Sequence, residues 1–324
     1  MPSVPRRGAG LGLAVLSAAA FGTSGSFATS LINAGWSPAA AVTARILTAG
    51  AVLTIPAFFV LRGRWALLVS TSRSSVVYGL FAVAGAQLCF FNAISYLSVG
   101  VALLLEYLGT LLVVGWLWLR HAQRPGRLTT IGAAAAVIGL VLVLDVTGRH
   151  HLHPIGVLWG LGAAIGLAVY FVLSANADDA LPPIAMAWAG MMIGGLFLLV
   201  AGVAGAFPMQ AHTGEVQLLH HRLSWLIPVL GLSLIAAVLA YTAGIDAARL
   251  LGARLASFVG LGEVLFAVLF AWLFLGQLPR GVQILGGVFI VGGVALVRIE
   301  ELREPGPDSI PVDVPDRQDA RANR

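Results

Sequence analysis

Apolar residues gather along the chain in ten long runs, each closed by a short gap rich in polar residues, Gly or Pro. The pattern predicts ten transmembrane helices, over 9–31, 37–61, 75–97, 99–119, 127–146, 155–176, 182–206, 224–246, 250–275 and 279–298. At 1.5 Å of rise per residue, runs of roughly twenty residues cross about 30 Å of hydrocarbon. The runs are continuous rather than alternating, so strands are not expected to span the membrane. The predicted fold class is all-α, a polytopic membrane protein.

Composition agrees with that pattern. Of 324 residues, 59% are hydrophobic and 10% charged, against about 25% charged in an ordinary soluble domain. Lipid-facing helices can use so much apolar surface, because a bilayer demands it. The chain has no Lys, which excludes a Walker A phosphate loop. Cys89 is the single cysteine, so neither an intrachain disulfide nor a cysteine metal site is available.

The arginines fall between apolar runs, where they act as topology signals rather than a nucleic-acid footprint. With the N-terminus inside, the inner segments hold Arg6, Arg7, Arg62, Arg64, Arg73, Arg120, Arg124, Arg127, Arg249, Arg254 and Arg298. The outer loops hold Arg149, Arg222 and Arg280, and Asp178-Asp179 is the dissenting inner loop. Both termini are therefore expected in the cytoplasm of a bacterial cell whose plasma membrane holds the chain. Arg6-Arg7 and the following apolar run resemble a signal peptide, but the run continues past Ala20, which favours an uncleaved first span.

The halves repeat. Residues 100–119 and 252–276 each run from small residues through a Gly and a Glu into an aromatic-rich apolar stretch. Ser37-Pro38 and Pro182-Pro183 open the second and seventh spans alike. Five spans per half is an odd number, so the halves are expected to be inverted, as in transporters whose site lies near the midplane. The division is a cytoplasmic N-terminus over 1–8, five-helix repeats over 9–146 and 155–298, and a disordered cytoplasmic tail over 299–324, rich in Pro and charge.

Three ionisable residues lie deep in predicted spans: Arg45, Glu106 and Glu263. Such residues are costly in a membrane and point to function. Arg45 and Glu106 each stand eight residues from an outer helix start, at matched depth, which predicts a pair. That pair could be a static salt bridge or a substrate or proton element. Glu263 has no arginine at the corresponding place, and burial disfavours a lone carboxylate, which suits proton binding and release. Gln87, Asn92, Thr110, Tyr170, Ser174 and Tyr241 are further candidates for substrate binding or coupling, although membrane helices also use such residues only to bridge one another. Gly286-Gly287, Gly292-Gly293 and Gly156/Gly160 read as close helix packing.

Six of the seven histidines fall in predicted outer loops without visible convergence, so no metal and no cofactor is expected. Gly260-Leu261-Gly262-Glu263 is similar to an intramembrane aspartyl protease element, but the acid is Glu and no second intramembrane Asp stands by. An enzyme or a non-transporting receptor remains the alternative of another class.

Ser37-Pro38 with Arg45, Leu105-Glu106-Tyr107-Leu108-Gly109, Glu263-Val264-Leu265-Phe266-Ala267, Trp272-Leu273-Phe274-Leu275-Gly276 and Gly286-Gly287 with Gly292 carry a resemblance. Over residues 10–298 the chain resembles the EamA branch of the drug/metabolite transporter superfamily, and Glu-Tyr-Leu-Gly looks most like its threonine/homoserine exporter group. The resemblance implies secondary transport without ATP, usually export, through a cavity bounded by the third, fourth, eighth and ninth spans. The expected partners are membrane lipids, a small polar metabolite such as an amino acid, and a proton as coupling ion; amphipathic toxic compounds are the alternative substrates. Two positions depart from the family pattern. Thr110 stands where Pro is usual, which argues against a break in the fourth span, and Gln277 stands where Glu is usual.

Overall fold

A computed structural model describes residues 4–97, 99–121, 125–143, 153–176, 181–218, 221–275 and 280–303. Arg124, Arg149, His150, His151, Asp178, Asp179, His220, Gln277 and the tail beyond Arg303 lie outside the described residues.

The described residues hold nine helices long and apolar enough to cross a membrane. They are Gly8–Asn33, Pro38–Leu61, Ser72–Tyr96, Ala102–Arg120, Pro154–Ala175, Pro183–Val203, Leu226–Leu251, Ala253–Phe270 and Gly281–Glu300. The expected fifth span is described as a 17-residue helix, Arg127–Val143. Ordinal names below follow this chain order, with Arg127–Val143 as the fifth. Caps explain several boundaries. Ser37 accepts from the Ala40 N–H while Pro38 opens the second helix, and Pro183 opens the seventh. A positive φ of 82° at Gly252 separates the eighth helix from the ninth.

The polar connection before the eighth helix holds something the apolar pattern did not signal. Glu215–Leu218 and His221–Ser224 pair as an antiparallel hairpin. Nearby, Ser37 Oγ donates to the Pro208 carbonyl at 2.6 Å, the Trp36 indole donates to the His212 carbonyl at 2.8 Å, and Trp36 packs on Trp225. This connection is thereby tied to the start of the second helix.

Contacts run between halves. The first helix packs on the eighth and the sixth on the third; the second packs on the seventh and the fifth on the tenth. Exchanging the halves maps these contacts onto one another. Irregularities recur in the same way. The third helix is π-helical over Tyr78–Gly85 and the eighth over Gly231–Leu239. The fourth breaks at Leu108, between Val99–Tyr107 and Gly109–His121, and the ninth at Leu261, between Ala253–Gly260 and Gly262–Leu275.

The break in the fourth helix corrects the expectation drawn from the missing proline. Glycine makes it instead. A Cβ on Gly109 would stand 2.6 Å from the Ala164 carbonyl oxygen of the sixth helix, so only Gly lets the two backbones meet there. At the other break Gly260 faces the Phe171 ring, again from the sixth helix. In both places the helix tightens for one turn: Leu108 N–H donates to the Leu105 carbonyl, and Leu261 N–H to the Phe258 carbonyl.

The fifth and tenth helices form the closest pair. Cβ atoms on Gly132 and Gly139 would lie 2.7 and 2.6 Å from the carbonyl oxygens of Gly293 and Gly286. Gly292, in contrast, meets nothing within 4 Å, so of that glycine pair only Gly293 serves the interface. At one end, Glu300 accepts from the Leu128 and Thr129 N–H groups at 3.0 and 2.7 Å, supplying the start of the fifth helix with a carboxylate.

Candidate functional site

A cavity opens inside the bundle. Glu106, two residues before the fourth-helix break, and Glu263, two residues after the ninth-helix break, both line it. Gln87, Tyr170 and Tyr241 line it as well. Five of the nine predicted site residues thus meet at one place, from the third, fourth, sixth, eighth and ninth helices. The expected boundary was too narrow, since the first and sixth helices also contribute, with Phe21 and Tyr170 among their residues. Both are drawn in where the first helix packs on the eighth and the sixth on the third.

Tyr107 is a cavity residue that sequence reasoning passed over. Its hydroxyl is 2.6 Å from Glu263 Oε2 and 3.0 Å from the Gly260 carbonyl oxygen. One hydroxyl hydrogen can serve only one of these acceptors at a time. With Glu263 ionised, Tyr107 donates to the carboxylate. With Glu263 protonated, the acid can donate to the phenol oxygen and the phenol to Gly260, the last residue of the helix before the break. The signal was present: Tyr107 sits beside Glu106 inside the Glu-Tyr-Leu-Gly motif.

Arg45 is not paired with Glu106, contrary to the matched-depth expectation. The guanidinium is 1% exposed. It donates from Nη1 to Ser24 Oγ at 3.2 Å and to Gln87 Oε1, and from Nη2 to the Ala236 carbonyl. Its Nε has no hydrogen-bond partner. Depth along two helices does not fix azimuth, and here neutral oxygens take the donors. The break at Thr23 in the first helix brings Ser24 to this cluster, and Ala236 belongs to the π-helical stretch of the eighth helix. The corresponding stretch of the third helix is used the same way, since the Tyr241 hydroxyl donates to the Ala82 carbonyl at 3.3 Å. Widened turns often mark functional sites.

Three candidates stand off the cavity. Asn92 donates to the Leu88 carbonyl one turn back on its own helix. Thr110 is buried and donates to the Ser257 carbonyl at 3.4 Å, tying the fourth helix to the ninth. Ser174, one turn beyond Tyr170, is fully buried away from the cavity wall. Each was chosen by polarity within an apolar run, which cannot distinguish a cavity from a helix contact.

One wall is aromatic. Phe21, Tyr170 and Tyr241 come from three helices and meet with centroids 5.2 to 6.4 Å apart and interplanar angles of 67° to 87°. The Tyr170 hydroxyl is buried without a hydrogen-bond partner. No arginine or histidine is among the described residues that line the cavity.

Comparison with known proteins places this geometry. The model of the EamA-like transporter family matches twice, over residues 8–145 and 154–299. The uncharacterized inner membrane transporter YicL of Salmonella typhimurium is 25% identical over 267 residues, covering 80% of this chain and 84% of that one. A solved protein crystal structure superposes with a TM-score of 0.72 at 18% identity, covering 91% of this chain and 98% of its own, which is a likeness of fold alone.

Proposed function

Because the chain belongs to the EamA-like transporter family, we propose that it is a proton-coupled secondary transporter that exports a small polar metabolite, amino acids first. The observation that carries this is the shared cavity: two carboxylates, Glu106 and Glu263, line one space at the breaks of two corresponding helices. Interrupted helices near the repeat interface are where transporters bind substrate and ions.

Glu263 is the proton site. Its bond to Tyr107 changes partner with ionisation, so loading a proton alters what holds Gly260 and hence the hinge at Leu261. Alternating access then follows from movement at the paired breaks. The exchange-symmetric helix contacts, the recurring π-helical stretches and the double family match support a repeat. An odd count of five crossings per half makes that repeat inverted. Arginine bias supports both termini in the cytoplasm, and the relative named as an inner membrane transporter supports that membrane. The Glu-Tyr-Leu-Gly motif supports the threonine/homoserine exporter likeness.

The test is transport by the full chain in proteoliposomes carrying an imposed pH gradient, with a panel of radiolabelled amino acids and their corresponding amines. Gradient-dependent movement of at least one is expected. Movement of none, or movement indifferent to collapse of the gradient, overturns the proposal.

A further inference from the structure

Selection at this cavity turns on charge of one sign. Its wall carries Glu106 and Glu263. Arg45, buried in the fold's interior, is held behind the wall by Ser24, Gln87 and the Ala236 carbonyl, and it is not among the lining residues. A substrate carboxylate entering here would face two acids, with the Arg45 charge acting only from behind the wall. A substrate ammonium would meet an acid and aromatic rings.

We propose that this site recognises amines: an ammonium group beside an apolar body, with a free carboxylate on the substrate acting as a handicap rather than an anchor. The inference rests on the transporter reading above and assigns its substrate class.

The two acids divide the work. Glu263 already has a partner in Tyr107. Glu106 is 8% exposed and lines the cavity, which leaves it to take the ammonium. A charged group in a low-dielectric site is stabilised chiefly by an opposite charge with good hydrogen bonds. Phe21, Tyr170 and Tyr241, set at steep angles to one another, present ring faces and edges to the same space. Ring faces attract cations most when water is excluded. The same wall also rejects. A wall carboxylate that is ionised opposes a substrate carboxylate, and specificity needs such a penalty as much as an attraction.

Binding to the purified full chain in detergent, by calorimetry, uses two matched sets of probes. One is tyramine, tyrosine and 3-(4-hydroxyphenyl)propionate; the other is isoamylamine, leucine and 4-methylpentanoate. Within at least one set the amine is expected to bind tenfold or more tightly than the zwitterion, with no saturable binding of the anion. Glu106→Gln should weaken amine binding tenfold or more, and Glu106→Asp, which keeps the charge, should hold it within about threefold. Tyr170→Leu should weaken it several-fold and Tyr170→Phe less. Tighter binding of a zwitterion or anion than of its amine in both sets, or no saturable amine binding, overturns the inference. Amine binding without movement in proteoliposomes would instead sink the transporter reading and leave this selectivity standing. Movement of the acids with no amine binding would do the reverse.

Discussion

Tyr107 of the fourth helix and Glu263 of the ninth, 156 positions apart in the chain, meet at 2.6 Å, and the same hydroxyl reaches the Gly260 carbonyl. The contact joins the two interrupted helices at the point where each loses its regular bonding. It also makes a protonation event at one side chain readable by the backbone three residues away.

Replacing Glu263 by Gln keeps shape and removes titration. Substrate binding and counterflow exchange should persist, while transport driven by a pH gradient falls to background. Proteoliposome flux with and without an imposed gradient checks this. Normal gradient-driven flux in the variant would make Glu263 structural and leave Glu106 as the coupling carboxylate.

Tyr107→Phe removes the alternating donor and nothing else. Loss of one buried hydrogen bond costs about 1 kcal/mol of stability. The larger effect is expected on coupling, with gradient-driven flux down about tenfold and counterflow less affected. Equal losses in both modes would assign Tyr107 to packing.

Arg45 holds three helices through neutral oxygens. Arg45→Met strands the Ala236 carbonyl and Gln87 and should cost roughly 1–3 kcal/mol. Arg45→Lys keeps the charge but cannot span three acceptors from a compact ammonium, so it should recover only part. Thermal unfolding in detergent measures both, and a wild-type midpoint for Arg45→Met would show that the cluster contributes nothing.

Gly139→Ala and Gly292→Ala form a matched pair on the fifth and tenth helices. The first places a methyl 2.6 Å from the Gly286 carbonyl and 2.7 Å from the Ile290 nitrogen, both backbone atoms that cannot turn aside. A cost of about 1–3 kcal/mol is expected. The second meets open space, and Ala in place of a helical Gly should be neutral or stabilising by up to about 1 kcal/mol. Similar midpoints for the two variants would contradict this packing.

Most of the helices were legible because lipid imposes one simple rule, apolar length, and Ser37, Pro38 and Pro183 mark their starts plainly. Glu106 and Glu263 were legible for a related reason, since charge inside such a run is exceptional. What escaped depends on azimuth and on backbone bonding, which a run of Leu, Val and Ala does not encode. Arg45 and Glu106 match in depth but not in direction. Thr110 in place of Pro hid a break that Gly109 makes by meeting the sixth helix. Tyr107 was masked because a tyrosine in an aromatic-rich run looks like any other apolar residue until the ninth helix is placed beside it.

The bond from Glu300 to Leu128 and Thr129 has a consequence in time. The ribosome delivers residue 128 long before residue 300, and at about 5–20 residues per second the separation of 172 positions lasts roughly 10 to 35 s. Throughout that interval the leading amides of the fifth helix are without this carboxylate. Only the final helix supplies it. The first half is therefore made as an unfinished bundle, and the closing turn of the tenth helix completes it. A nascent chain released before Glu300 would lack this acceptor for the Leu128 and Thr129 amides.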